Sequence, residues 1–331
     1  MASRRRKKSG GRSYAWRYRG RIVACVFVEV IIICALVIMI GWNKGVKEWF
    51  EQFEQPVLKE VDISGINSPN AILMQVRGGK ILGEINGEAQ IYPASMTKIM
   101  TVILGIENFD DLDEKITLTN EMFSGLYEQD ATQAGFQPGE EVRVIDLLYG
   151  AMLPSGAECC IALADTISGS EADFAELMNK KARKLGMENT HFCDSTGLHN
   201  PDHYSTVKDI AVLMKYCIKN DTFREIVETS RHSTGVTNIH PDGITYYSTM
   251  FKNLSDPTVT GGKILGGKTG YTSEAGRCLV SFAEIEGREY IFVSAGASGA
   301  DGNTIPHIQD AVTVYNRVGA AIEAKMNDNN K

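Results

Sequence analysis

The stretch Tyr92–Met100, YPASMTKIM, places a serine three residues before a lysine at the predicted start of a helix. Pro93 suits the first turn of a helix, and the apolar residues that follow predict a mostly buried helix from Ser95 to about Glu107. Because positions i and i+3 lie on one side of a helix, the Ser95 hydroxyl and the Lys98 amine can come within hydrogen-bonding distance. This spacing fits a serine nucleophile with a lysine base, provided that burial keeps the amine neutral. A capping serine followed by a surface lysine gives the same pattern by chance.

A second serine, Ser155, lies in the turn Leu153–Glu158, LPSGAE, between two predicted helices. A serine in a turn that contains proline and glycine can project into a cleft. Taken alone, Ser155 equally fits an ordinary cap of the helix that follows.

The third candidate is the segment Gly266–Thr272, GGKTGYT. Its glycines suit an exposed strand that a ligand approaches closely. Lys268 offers a cation and Thr269 a hydroxyl, which together suit the binding of a carboxylate. From Gly262 to Thr269 the chain also matches the phosphate-loop pattern G-x-x-x-x-G-K-T. That loop should open a helix, whereas the residues that follow predict a turn and a strand, so we expect no nucleotide site.

Taken together, Ser95-x-x-Lys98, then Ser155-Gly, then Lys268-Thr-Gly resemble the motifs of the penicillin-recognising serine enzymes. The resemblance is to the D-alanyl-D-alanine carboxypeptidases of the low-molecular-weight penicillin-binding type. It extends to FAELMNKKARKLGMENTHF and STGLHNPDHYST and covers about residues 63–326. It implies a β-lactamase/transpeptidase-like fold of the α/β (α+β) class, with an antiparallel sheet flanked by helices and an inserted helical subdomain.

The resemblance also implies a role for each matching residue. Ser95 would attack the terminal D-Ala-D-Ala bond of a peptidoglycan stem pentapeptide and form an acyl-enzyme, while Lys98 accepts its proton. Ser155 would help to pass that proton to the departing D-alanine. The backbone N–H groups of Ser95 and Tyr271 would form the oxyanion hole. β-Lactams would acylate the same serine as covalent inhibitors, and no cofactor or metal ion is expected. The implied substrate-binding residues are Lys268, Thr269, Gly270 and Tyr271.

The middle motif departs from the family pattern, which is usually Ser-x-Asn. Its third position is Ala157, whose side chain cannot hydrogen-bond to a substrate, and Glu158 follows. Glu158 could partly replace the asparagine, but we expect a solvated acid at a helix start. The departure leaves two alternative functions open. One is a catalytically weak penicillin-fold sensor that binds muropeptides or β-lactams, and the other is a β-lactamase-like hydrolase.

Other patterns place strands at both ends of the domain and helices between them. Alternating apolar residues and glycine turns predict one hairpin from Ala71 and a second from Cys278 to Ala295. The turn-rich segment 228–262 carries no clear pattern. This order predicts one sheet assembled from distant segments. The predicted helices cover 142–153, 157–168, 171–185, 206–219 and 305–326.

The N-terminal part is organised differently. Residues 1–21 form a basic tail with nine Lys and Arg and no acid, and residues 22–41 are apolar except for Glu29. Because about 20 apolar residues cross a bilayer, this run predicts a transmembrane signal anchor with its N-terminus in the cytoplasm. A cleaved signal peptide is the alternative, but the run is long and lacks a cleavage site. The expected protein is therefore single-pass in the cell membrane, with an extracytoplasmic stalk (42–62), catalytic domain (63–326) and disordered tail (327–331).

The composition argues against other classes. From Gly41 onward the chain has 25 basic and 40 acidic residues, which disfavours nucleic-acid binding. His199 and His203 are four apart, but Pro201 interrupts any helix that would aim both at a metal. Five cysteines outside the apolar run lack metal-binding spacing, so we expect buried free thiols, with one disulfide as the alternative. These are Cys159, Cys160, Cys193, Cys217 and Cys278.

Overall fold

The computed structural model describes residues 58–254, 256–299 and 305–329. The predicted basic tail, the transmembrane anchor with Glu29 and most of the predicted stalk lie outside these ranges. Within them, no helix combines the length and the apolar character that crossing a bilayer requires.

The described residues form ten strands. They are β1 (Asn70–Gln75), β2 (Lys80–Ile85), β3 (Lys115–Thr117), β4 (Glu141–Arg143), β5 (Arg231–Ser233), β6 (Thr245–Tyr247), β7 (Thr258–Val259), β8 (Gly262–Thr272), β9 (Gly276–Ile285) and β10 (Arg288–Ala297). Six of these described strands form the main antiparallel sheet in the order β2-β1-β10-β9-β8-β7. β3 pairs with β4, and β5 pairs with β6.

The α-helices of the described ranges lie mostly between β2 and β7. They are α1 (Lys98–Asn108), α2 (Val144–Met152), α3 (Ala157–Ser168), α4 (Glu171–Leu185), α5 (Val207–Cys217), α6 (Asp221–Glu228), α7 (Thr249–Asn253) and α8 (Pro306–Asn329). Short 3-10 turns cover Arg77–Gly79, Ala94–Thr97 and Asn120–Phe123.

Polar caps set the helix boundaries in this part of the chain. Ser170 accepts the N–H of Asp173 at the start of α4, and Thr206 accepts the N–H of Asp209 at the start of α5. Such caps satisfy backbone donors that have no partner within the helix. Gly169 ends α3 in a left-handed conformation, which glycine adopts without steric cost.

The sheet separates two hydrophobic cores. Successive side chains of a strand point to opposite faces, so β9 contributes to both. Val280 and Phe282 belong to the core shared with α1, α2, α3 and α5. Leu279 and Ala283 belong to the core covered by α8.

The predicted architecture is confirmed, because strands from both ends of the domain form one antiparallel sheet with helices inserted between them. Both predicted hairpins are present, and α3 and α4 have the predicted bounds. The helix predicted from Ser95 becomes α-helical only at Lys98. The helix α6 and the strands β3 to β6 were not predicted, since such short elements depend on tertiary contacts more than on local pattern.

Two predicted boundaries need correction. Leu58 and Val61 are buried in the core beneath α8, and the Val61 N–H donates to the Leu82 carbonyl at 2.7 Å. The folded part therefore begins within the predicted stalk, because apolar side chains there cover the sheet. The prediction of a disordered tail is wrong for residues 327–329, which continue α8. Extending an existing helix by a few residues costs little, since its nucleus is already formed.

Candidate active site

Ser95 lies just before α1, on the 3-10 turn Ala94–Thr97. Lys98 is the first residue of α1, and its Nζ lies 3.1 Å from Ser95 Oγ. Ala94 has a φ of +46°, in the left-handed region. Such a conformation costs a non-glycine residue about 1–3 kcal/mol and persists only where surrounding contacts impose it. Packing therefore holds the turn that joins the nucleophile candidate to its amine.

The Lys98 amine is enclosed by protein. Only 3% of Lys98 is exposed, and its Nζ also donates to the Thr196 carbonyl at 2.7 Å. Gly197 permits this approach, because its φ is +80° and a Cβ there would lie 1.9 Å from the Ala94 carbonyl oxygen. The loop that carries Thr196 can thus pack directly on the Ser95 turn.

A buried hydrogen-bond network supports that loop. Asp194 Oδ1 accepts the backbone and hydroxyl groups of Thr196 and the N–H of Gly197, each at 2.7 Å. Asp194 Oδ2 lies 3.1 Å from His203 Nδ1, and His203 Nε2 lies 2.9 Å from Thr97 Oγ1. Burial alone would raise the pKa of Asp194, but its bonds with His203 and Thr196 outweigh burial and lower that pKa to about 2. The network therefore holds an ionised carboxylate beneath the loop.

Ser155 forms a second serine–lysine pair. Its Oγ accepts a hydrogen bond from Lys268 Nζ at 3.0 Å, and only 7% of the residue is exposed. The φ of Ser155 is +74°, which is again left-handed. The next two backbone N–H groups donate to the carbonyls of Gly150 and Thr132 at 2.8 Å. The turn is therefore tied on both sides while its hydroxyl points at the lysine.

Lys268 lies on β8 and is 1% exposed. Its Nζ also donates to the Thr269 carbonyl at 2.9 Å. Burial is the main cause that lowers the pKa of Lys268 well below its usual value, and the charge of Lys98 is the second cause. An anionic group bound beside this amine would oppose both effects by favouring its charged form. The buried amine therefore suits a site for a ligand carboxylate.

Gly270 has no side chain, and this allows the Ser95–Lys98 and Ser155–Lys268 pairs to lie close together. A Cβ at this position would lie 3.0 Å from the Ser95 backbone nitrogen, so β8 packs directly on the Ser95 turn. On the same strand, Thr269 Oγ1 lies 2.7 Å from Thr249 Oγ1, at the start of α7. The Tyr271 side chain is 63% exposed. The predicted residues of the third motif thus line the part of β8 that lies beside Ser95.

The structure excludes the phosphate-loop alternative, because residues 262–272 form the single strand β8 rather than a loop that opens a helix. His203 belongs to the Asp194 network, and His199 packs edge-on against the Tyr92 ring. No cluster of His, Cys, Asp or Glu in the described ranges is suited to hold a metal ion. The five cysteines are free thiols, and all except the partly exposed Cys193 are buried as predicted.

A family model described as D-alanyl-D-alanine carboxypeptidase matches residues 57–299. The chain belongs to the D-alanyl-D-alanine carboxypeptidase family. The resemblance predicted from the three motifs is therefore confirmed.

Two curated members of the family illustrate the similarity. The carboxypeptidase DacF of Bacillus subtilis is 35% identical over 231 residues, which are 69% of this chain and 57% of DacF. DacC of Escherichia coli is 33% identical over 262 residues, which are 72% of this chain and 58% of DacC. The chain thus spans less than two thirds of the length of these D-alanyl-D-alanine carboxypeptidases.

A solved structure supports the fold. The crystal structure of the Streptomyces K15 DD-transpeptidase superposes with a TM-score of 0.70 at 30% identity. The match covers 79% of this chain and 100% of the K15 chain. The predicted penicillin-binding-like fold, with helices on an antiparallel sheet, is confirmed.

The residue pair after Ser155-Gly is the one that departs from the Ser-x-Asn pattern implied by the resemblance. Ala157 begins α3 and is buried. Glu158 is also fully buried, so the prediction of a solvated acid is wrong. Its Oε1 turns inward and accepts the backbone N–H groups of Ala134 and Gly135 at 2.6 and 2.9 Å. Burial raises the pKa of Glu158, although these hydrogen bonds act in the opposite direction.

Several polar residues of the site were not predicted from the sequence. Asp194 and Thr249 lie outside the three catalytic motifs, and the burial of Glu158 was not predicted. Thr196 and His203 lie within STGLHNPDHYST, which the resemblance includes without assigning them a role. Their partners are distant in sequence, so the only sequence signal was their position within a family-like stretch.

Proposed function

We propose that this chain is a serine-type D-Ala-D-Ala carboxypeptidase that removes the terminal D-alanine from peptidoglycan stem pentapeptides. The observation that carries the proposal is the pair of contacts Ser95–Lys98 at 3.1 Å and Ser155–Lys268 at 3.0 Å, brought together by the packing of β8 on the Ser95 turn. Together they offer a nucleophile, an adjacent amine, a second hydroxyl and a buried carboxylate site. Family membership supports this chemistry.

Acylation begins with proton transfer from Ser95 Oγ to the Lys98 amine, which acts as the base over the 3.1 Å contact. The resulting oxygen attacks the carbonyl carbon of the penultimate D-alanine. Negative charge then develops on the carbonyl oxygen, where the backbone N–H groups of Ser95 and Tyr271 stabilise it. One such donor contributes about 3–4 kcal/mol in hydrolases with comparable oxyanion holes.

The carbon–nitrogen bond then breaks, and the departing amine of D-alanine needs a proton. Lys98 holds the proton taken from the nucleophile, and the Ser155 hydroxyl relays it to the leaving nitrogen. Lys268 orients that hydroxyl through the 3.0 Å hydrogen bond. Water next attacks the ester, its proton passes to Lys98 and then to Ser95 Oγ, and the shortened peptide leaves.

The terminal carboxylate of the substrate is placed beside β8. Lys268 supplies charge and Thr269 supplies a hydroxyl, which is already oriented by Thr249 at 2.7 Å. Because the Lys268 amine is buried, its interaction with a carboxylate is screened less than that of a surface pair. This arrangement favours substrates with a free C-terminus over internal peptide bonds.

The other functions are less well supported. A non-catalytic sensor would not require the proton-transfer contacts on both serines, and Ala157 removes only one substrate contact. A β-lactamase-like hydrolase would use the same acylation steps and differ in the deacylation rate. The Streptomyces K15 protein is a DD-transpeptidase, so an amine could replace water as the acyl acceptor here.

The test combines labelling with product analysis. The chain is exposed to benzylpenicillin and the adduct is mapped by mass spectrometry, with attachment expected on the peptide that contains Ser95. D-Alanine release from a stem pentapeptide is then measured with and without glycine as an amine acceptor. Release without glycine supports the carboxypeptidase, and a glycine-containing product supports transpeptidation. Labelling without either product would support the sensor, and absence of labelling would overturn the proposal.

We also propose that residues 22–41 anchor the protein in the cell membrane as a single span, with the catalytic domain outside. The support is an apolar run of sufficient length, preceded by nine basic residues and no acid. Glu29 within the run would be protonated or paired with a partner helix. Fractionation of the full chain against a variant lacking residues 1–41 tests this proposal. Recovery of the full chain in the soluble fraction would contradict it.

A further inference from the structure

The carboxylate of Glu158 lies beneath the turn that carries Ser155. The side chain projects from the first turn of α3 and is fully buried. Its Oε1 accepts two backbone N–H groups, from Ala134 and Gly135. Its Oε2 has no hydrogen-bond partner among the described residues, and it would lie 3.0 Å from a Cβ at Gly156. Glu158 therefore contacts both the loop and the glycine that follows Ser155.

The same loop is tied to the Ser155 turn by a backbone bond. The Ala157 N–H donates to the Thr132 carbonyl at 2.8 Å, beside the two bonds that Glu158 accepts. A Cβ at Gly156 would lie only 2.7 Å from Ala134 Cβ, so the loop and the turn are in close contact. Three hydrogen bonds thus join residues 132–135 to the start of α3.

The Ser155 backbone needs such support. Its φ of +74° is unfavourable for a residue with a side chain, and it is kept only where surrounding contacts impose it. Without the Glu158 bonds, the N–H groups of Ala134 and Gly135 would lose the acceptor that holds them to α3. The loop would then move, and the turn would lose the surface against which it is held.

We propose that Glu158 is a positioning residue that acts through Ser155. Its carboxylate clamps residues 132–135 against the Ser155 turn and thereby aims the Ser155 hydroxyl at Lys268. This inference rests on the proposed function, in which Ser155 relays a proton. Glu158 contacts neither substrate nor reacting atoms, so its effect falls on the acylation step and not on β-lactam binding.

The experiment measures benzylpenicillin acylation of the full chain, separating the maximal acylation rate from the initial binding constant. Glu158→Ala should lower the maximal rate about 10- to 100-fold, as expected when a reacting group is misplaced by about 1 Å. The binding constant should change less than the rate. Glu158→Gln keeps the acceptor oxygen and should remain near the wild type, which also guards against misreading a folding defect.

The decisive comparison uses a Ser155→Ala background. If Glu158 acts through Ser155, then adding Glu158→Ala to Ser155→Ala should cause no further loss of rate, because coupled residues are not additive. Asp310→Ala is the matched control. Asp310 on α8 is also buried and accepts two backbone N–H groups, from Asn67 and Ser68 at 2.8 and 2.9 Å, but it holds the segment before β1. It should lower the melting temperature without changing the acylation rate.

Two outcomes would overturn the inference. One is an unchanged maximal rate in folded Glu158→Ala, and the other is an equal loss of rate in the wild-type and Ser155→Ala backgrounds. Absence of acylation in the wild-type chain would instead overturn the proposed function itself, so the two failures are distinguishable.

Discussion

The two serine–lysine pairs of the site are alike in geometry and different in construction. Each hydroxyl lies about 3 Å from a buried amine, at 3.1 Å for Ser95–Lys98 and 3.0 Å for Ser155–Lys268. Each pair also involves a left-handed residue that is not glycine, with φ of +46° at Ala94 and +74° at Ser155. The first pair, however, lies within a single turn of chain, whereas the members of the second are 113 residues apart.

This difference shows which pair depends on the rest of the molecule. The spacing of Ser95 and Lys98 follows from helical geometry, so any fold that forms the turn at the start of α1 brings them together. The second pair requires a strained turn, a supporting loop and the strand β8 to pack in one arrangement. We therefore expect changes within the first pair to act on chemistry directly, and changes around the second to act through position.

The largest effect is expected within the local pair. Lys98→Met keeps the apolar volume of the side chain but removes the amine that accepts the Ser95 proton. Loss of a general base lowers rates by about 10²–10⁴-fold, and we expect the second-order constant for benzylpenicillin acylation to fall within that range. Lys208→Met, at an exposed ion pair with Glu88, is the control and should acylate normally. A Lys98→Met rate within threefold of wild type would show that another group acts as the base.

One methyl group added at Gly270 should separate the two serine–lysine pairs. Gly270→Ala places a Cβ 3.0 Å from the Ser95 nitrogen and 3.1 Å from Ala94 Cβ, so β8 must move away from the nucleophile turn. We expect acylation to fall about 10- to 100-fold, because the oxyanion donors and Lys268 are displaced together. Gly87→Ala is the control, since its Cβ would meet only the Glu84 side chain. If Gly270→Ala acylates as fast as Gly87→Ala, close packing of β8 is not needed.

The same difference explains what the sequence could reveal. The spacing alone predicted that Ser95 and Lys98 could come within hydrogen-bonding distance, because both residues lie on one helix turn. The resemblance of the three motifs then favoured a catalytic pair over a chance pattern. That Ser155 and Lys268 belong to one site was predicted only through the family resemblance, since no periodicity relates residues so far apart. Their direct hydrogen bond was not predicted. Burial of Glu158 was missed because an acid at a helix start is usually solvated. Its partners are backbone N–H groups of a loop, and these leave no pattern in the sequence.

The supports of the two pairs should respond to pH in opposite directions. The pKa of Asp194, beneath the Ser95 side, is lowered to about 2. A carboxyl whose pKa is lowered by folding stabilises the folded state at pH values above its pKa in the unfolded state, here near 4. This contribution is lost as the pH falls through the folded-state pKa of about 2. Asp194→Asn should therefore cost about 2 kcal/mol of unfolding free energy at pH 6, and much less at pH 2. Urea unfolding at both pH values measures the difference, with the exposed Asp242→Asn as control. An equal cost at both pH values would contradict the assignment of an ionised Asp194.

Glu158, on the Ser155 side, gives the smallest effect and the opposite sign. Burial raises the pKa of Glu158, so the folded state holds its proton to higher pH than the unfolded state does. The protonated side chain therefore contributes stability at pH values below the pKa of the unfolded state, near 4.5. That contribution is lost as the pH rises through the pKa of the folded state. Glu158→Gln cannot ionise and lacks this loss. Relative to wild type, the variant should therefore become more stable as pH rises from 4 to 7, by less than Asp194→Asn costs. Urea unfolding at the two pH values measures the trend. If the stability of Glu158→Gln relative to wild type instead fell over this range, Glu158 would be stabilised as a carboxylate. Its hydrogen bonds to the loop would then outweigh the cost of its burial.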